Sequence, residues 1–97
     1  MNKYNVSKLP LDYLKETAEK SRKLRKELKM SRAELAERSG VSFGSLKRFE
    51  QTGKISFESL LKLAHILGRL SEFESLFLQK EDLSEIEKLF SDKTRNK

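Results

Sequence analysis

From Pro10 onward, apolar or small residues return at three- and four-residue steps: Leu11, Leu14, Ala18, Ser21, Leu24 and Leu28. That spacing draws one face of an amphipathic helix, and Pro10 suits its first turn, where a missing N–H costs nothing. The other faces carry Lys15, Lys20, Arg22, Lys23, Arg25, Lys26 and Lys29. Three joints downstream then repeat one device. Met30 precedes Ser31 and stands five residues before Leu35; Val41, Ser42 and Leu46 repeat the arrangement, as do Ile55, Ser56 and Leu60. A capping serine between an apolar N′ residue and an apolar N4 residue is a hydrophobic staple. The three staples predict short helices at 32–39, 43–51 and 57–67. In the last of these, Phe57, Leu60, Leu61, Leu63, Ala64 and Leu67 are too many for one narrow stripe, which predicts a central, most buried helix ended by Gly68. Ser71 and Glu74 have capping-box spacing and predict a further short helix with Phe73, Leu76 and Phe77. Leu83, Ile86, Leu89 and Phe90 then line one side of a final amphipathic segment.

A single proline, few β-branched residues and no Asn-Gly or Asp-Gly hairpin signal make the expected fold all-α. The expected organisation is a flexible arm at 1–9, one helical domain at 10–78, and a C-terminal amphipathic helix with a disordered tail at 79–97. Ninety-seven residues are enough for one small core. Charged residues make up 37% of the chain and the net charge is +6. Residues 1–30 hold nine Lys/Arg against four Asp/Glu and residues 31–54 five against three, whereas 55–78 hold two against three and 79–97 five against five. The positive excess therefore sits in the first predicted helix and the helix pair after it, and an anionic partner is expected there. A basic helix also lies on anionic membranes when its apolar face is wide, but here that face is narrow and needed for the core.

Several function classes are excluded by what the residues lack. No cysteine is present, so disulfides and thiolate metal sites are not expected. His65 is the only histidine, and no second imidazole or thiol completes a nucleophile–base pair or a metal site. No glycine-rich phosphate loop occurs. The chain is therefore expected to be no enzyme, with no catalytic residue, cofactor or metal. No apolar run approaches the roughly 20 residues that cross a bilayer, and no secretory h-region stands at Met1. A cytoplasmic location without membrane contact is the expectation.

The stretch from Met30 to Glu50 carries the chemistry. Ser31 with Glu34 has the spacing of a capping box that satisfies two orphan amides. Gly40 supplies the left-handed residue that ends a helix, and Ser42 caps the next helix. In that second helix Leu46 and Phe49 turn inward, which leaves Lys47 and Arg48 outward. Arg48 has the chemistry to take guanine O6/N7 in a bidentate pair, or to form an ordinary surface ion pair. Lys47 suits phosphate or guanine. Ser42 and Ser45 can donate to phosphate, although Ser42 is already explained as a cap. Glu50 suits a structural pairing with a nearby cation.

Residues Leu24-Arg25-Lys26-Glu27-Leu28-Lys29-Met30-Ser31, Ala33-Glu34-Leu35-Ala36-Glu37, Gly40-Val41-Ser42, Leu46-Lys47-Arg48-Phe49-Glu50 and Leu60-Leu61-Lys62-Leu63-Ala64 together resemble the phage-repressor/Cro-like (XRE-type) helix-turn-helix family. The resemblance covers Leu24 to Phe77. It implies a compact five-helix domain that binds double-stranded operator DNA, usually as a homodimer on a palindrome. It places base-reading positions at Phe43 and Gly44 with Lys47 and Arg48 one turn on, a phosphate contact at Arg32, and further contacts in the loop at Lys54 and Ser56. Members often carry Gln or Arg at the first two positions; Phe43 and Gly44 differ, and readout by a phenyl ring is apolar. The turn Gln51-Thr52-Gly53 is one residue longer than in many members. The stretches 55–64 and 68–77 are similar to the HipB-like antitoxin branch. That similarity implies a partner toxin of the HipA-like kinase type, with the apolar-acidic segment 81–90 as the feature available to hold it.

Overall fold

The computed structural model describes residues 8–79 together with the single residue Glu87. The predicted arm at 1–9, apart from Lys8 and Leu9, and the predicted amphipathic segment at 81–90, apart from the helical residue Glu87, lie outside the described residues. Within residues 8–79 four α-helices and one 3-10 helix come in order: α1 (Pro10–Glu27), α2 (Arg32–Ser39), α3 (Phe43–Thr52), α4 (Phe57–Ile66) and a closing 3-10 helix (Leu70–Ser75). Among the described residues there is no strand, and the all-α expectation holds.

The helix starts arise from local chemistry. Ser31, Ser42 and Ser56 each sit in extended backbone and accept the amide N–H three residues on, from Glu34 at 3.0 Å, Ser45 at 3.1 Å and Ser59 at 3.1 Å. The predicted box at α2 is only half made, because the Glu34 carboxylate accepts from Arg38 at 2.8 Å instead of turning back to Ser31. At α1 the Asp12 carboxylate accepts the Leu9 N–H at 2.8 Å ahead of Pro10.

Helix ends are closed by left-handed residues. Gly40 (φ +80°) donates to Ala36 O, and Gly53 (φ +85°) donates to Phe49 O. At the end of α1 this place is taken by Lys29 (φ +60°): its N–H reaches Lys26 O at 2.9 Å, and that of Met30 reaches Arg25 O at 3.1 Å. The pair of bonds is a Schellman closure. Gly53 is constrained twice, since a Cβ there would stand 2.8 Å from the Leu14 carbonyl carbon. The backbone of α1 lies directly against the end of α3.

Packing runs α1 on α3, α3 on α2, α2 on α4, and α4 on the closing 3-10 helix. The core comprises Ala18, Met30, Leu35, Ala36, Val41, Leu46, Phe49, Leu63 and Leu67, with Leu24, Ile55, Leu60 and Ile66 packed around it. The largest fully buried side chains are Phe49, Leu35, Leu46 and Leu63. The expected central place of the 57–67 helix is therefore corrected: α3 lies between α1 and α2. Within α4 only Leu63 and Ala64 are buried, and Phe57 stays exposed, edge-on to Phe73 with ring centroids 5.8 Å apart. The box expected at Ser71 is also corrected. The 3-10 helix already begins at Leu70, no side chain caps it, and Arg69 pairs instead with Glu72. In α1, Ala18 and Ser21 are buried as the spacing predicts, whereas Leu11, Leu14 and Leu28 remain exposed.

Candidate nucleic-acid interface

The inward pair Leu46 and Phe49 fixes the roll of α3. With both buried, Phe43, Gly44, Lys47 and Arg48 share the exposed side, as helical steps of one, four and five residues require. Neither Lys47 nor Arg48 pairs with a described carboxylate, so both charges are available to a partner. Ten residues of α3 span about 15 Å at 1.5 Å per residue, enough to lie across a major groove about 12 Å wide.

Past the end of α3 the chain builds a polar recess of about 250 Å³, lined by Ser45, Arg48, Lys54, Ile55, Ser56 and Ser59. Thr52 links two of these residues, Arg48 and Lys54. Its hydroxyl donates to Arg48 O at 2.8 Å and accepts the Lys54 N–H at 3.1 Å, which ties Lys54 to the last turn of α3. Two cations, three serine hydroxyls and the N-terminus of α4 thus surround one space, an arrangement suited to a phosphate. Ser42 is less available. Its hydroxyl accepts from Ser45 N–H and donates to Ser45 Oγ at 2.9 Å, so capping uses both its accepting and donating roles.

On the other side of α3 stands a triad that the sequence pattern only half revealed. Glu50, with its side chain 1% exposed, accepts from Arg25 Nε at 2.8 Å and Arg25 Nη2 at 3.0 Å, and from Arg32 Nε at 2.8 Å. Arg25 Nη1 completes the arrangement by donating to Met30 O at 2.9 Å. Burial works against ionising Glu50, but the two guanidinium groups prevail and hold its carboxyl below the usual range. The expected pairing of Glu50 with a cation is thus present, with two partners. Arg25 was expected on the outward basic face and is instead buried, a correction with a simple cause. It comes after Ala18 and Ser21 at the three- and four-residue steps of the core stripe, and that spacing was the available signal. Arg32 sits at the start of α2 with its side chain 36% exposed. Its Nε is held by Glu50, and no described residue bonds its terminal nitrogens.

Arg32, Phe43, Gly44, Ser45, Lys47, Arg48 and Lys54 therefore cluster on or beside α3, while Ser42 serves the fold. His65 is exposed on α4. Among the described residues no three His, Asp or Glu side chains converge on a metal-sized point, and no helix is long and apolar enough to cross a membrane.

A helix-turn-helix family model matches residues 22–74, from within α1 to the closing 3-10 helix. That is more than half of the chain, and it overlaps the phage-repressor-like resemblance from Leu24 to Glu74. The chain belongs to the helix-turn-helix family. No curated protein and no solved structure matches it. Within the family the chain is a DNA-binding transcriptional regulator.

Proposed function

We propose that this helix-turn-helix protein is a repressor that binds a palindromic operator in double-stranded DNA as a homodimer. α3 enters the major groove, while Arg32 and the Lys54 recess hold the phosphates on either side. The observation that carries this reading is the exposed face of α3, where Lys47 and Arg48 stand without carboxylate partners among the described residues, beside a recess lined by hydroxyls and cations. Base contacts at Lys47 and Arg48 specify, and phosphate contacts position. The reading involves binding alone, with no reaction and no cofactor, in the cytoplasm. Dimerisation finds support in Leu70, Leu76 and Phe77, which are exposed at the end of the domain, Phe77 by 94%. Two copies reading one palindrome place their recognition helices about 34 Å apart, one turn of DNA.

The test is selection of duplexes from a randomised pool, then gel shift. K47A/R48A is expected to abolish the shift with the helical circular dichroism unchanged. Undiminished binding by the double variant would contradict the reading.

The same exposed apolar end favours a second reading, in which the chain also acts as an antitoxin that neutralises a toxin partner and represses their shared operon. Leu76 and Phe77 lead within a few residues into the apolar-acidic stretch 81–90, a composition suited to protein rather than phosphate. Deletion of 78–97 is then expected to lose both dimer mass and co-purification of the partner; retention of both would remove this role.

A further inference from the structure

Two neighbouring residues of α3 are unexplained by the folding of the chain itself. Phe43, at the first helical position, is 48% exposed. Gly44, the next residue, does not have the positive φ of Gly40, Gly53 and Gly68, and a Cβ built on it meets nothing within 4 Å. Neither backbone conformation nor packing requires glycine there, and glycine is the poorest helix former after proline. The missing side chain leaves an open shelf beside the ring, so that another molecule can approach the helix backbone closely.

That other molecule must satisfy two chemistries at once. Lys47 and Arg48 share this face and require an anion, whereas the phenyl ring requires an apolar group. The major groove of DNA supplies both: phosphates at its edges and, on its floor, the C5-methyl group of thymine, against which a phenyl ring packs. 5-Methylcytosine carries its methyl at the same pyrimidine carbon. We infer that Phe43 and Gly44 form a reader for the 5-methyl group of a pyrimidine, which distinguishes thymine or 5-methylcytosine from an unmethylated pyrimidine at one position of each half-site. The inference rests on the proposal that α3 enters the major groove. It adds a specificity that is sensitive to base methylation.

The test uses the full chain and a duplex recovered by selection. Each thymine of the half-site is replaced in turn by deoxyuridine, which removes the methyl group and leaves the hydrogen bonding intact. One position is expected to lose about four-fold in affinity, the effect of withdrawing one apolar carbon from contact. At that position a 5-methylcytosine–guanine pair is expected to bind tighter than cytosine–guanine by the same factor. F43A is expected to bind methylated and unmethylated duplexes equally. G44A is expected to bind all of them more weakly although its thermal midpoint rises, since alanine is the better helix former; a purely structural role for Gly44 would not separate the two readouts. Binding of a recovered duplex that is indifferent to methyl removal at every position overturns the inference and leaves the DNA-binding reading standing. Discrimination that survives in F43A, or undiminished binding by G44A, also overturns it. Failure to recover any bound duplex overturns the DNA-binding reading and this inference with it.

Discussion

Glu50 is the residue on which most depends, because one carboxylate joins three helices: Arg25 from α1, Arg32 from the start of α2, and its own α3. Removing one partner of a buried pair leaves an uncompensated charge and costs about 3–5 kcal/mol. E50A is therefore expected to destabilise the domain by that amount in urea denaturation, with Arg25 stranded beside Met30 O. The lowered carboxyl also sets a pH dependence. The contribution of Glu50 is complete above the ordinary carboxylate value of 4.5 and is lost as pH falls through its lower value in the fold. Compared with wild type, E50Q is expected to show a flatter loss of stability as pH falls below 4.5. At this scale the sequence was legible where a residue's role is local. Ser31, Ser42 and Ser56 are recognisable as caps from the apolar residues that flank them at staple spacing. Arg25 stands at core spacing after Ala18 and Ser21, but its role there is interpretable only once its distant partner Glu50 is known.

Elements were legible in the same measure. The predicted spans 32–39, 43–51 and 57–67 agree with α2, α3 and α4 to within one residue at each end, since caps and glycines mark boundaries whatever the tertiary surroundings. The failures came where two local options competed. Glu34 had both the Ser31 amide and Arg38 within reach, and its carboxylate pairs with the guanidinium one turn on. At 70–75 the periodicity signalled a helix without separating the 3-10 form from the α form. Replacing any one capping serine with alanine is expected to cost about 1 kcal/mol, measurable as a shifted urea midpoint with unchanged slope. The helix ends give a contrasting pair. Lys29 holds a left-handed conformation that costs a non-glycine residue roughly 1–2 kcal/mol, so K29G is expected to be neutral or stabilising. G53A is expected to cost more than about 2 kcal/mol, because it adds that same penalty to a Cβ placed 2.8 Å from the Leu14 backbone.

For the whole molecule, the order of packing was the least legible feature. The abundance of apolar residues in α4 pointed to a central helix, but position in a bundle depends on which faces meet, and α3 is sandwiched between α1 and α2 instead. The exposed face of α3 was readable nonetheless, because it is the complement of the core pattern: once Leu46 and Phe49 point inward, Phe43, Gly44, Lys47 and Arg48 have only the outside. What composition could not show was the recess that gathers Arg48, Lys54 and three serines from two helices. If this face holds DNA, the affinity has a measurable electrostatic signature. Each phosphate contact releases condensed counterions, and log Kobs falls against log salt with a slope near −0.9 per contact. The decisive measurement is that slope for a selected duplex, taken for wild type and for a variant with Arg32 and Lys54 both replaced by alanine. A steep wild-type slope that shallows by about 2 units in the variant, with thermal stability retained once the modest loss of the Arg32–Glu50 pair is allowed for, is the predicted result. A wild-type affinity indifferent to salt, or a slope unchanged in the variant, would contradict the account.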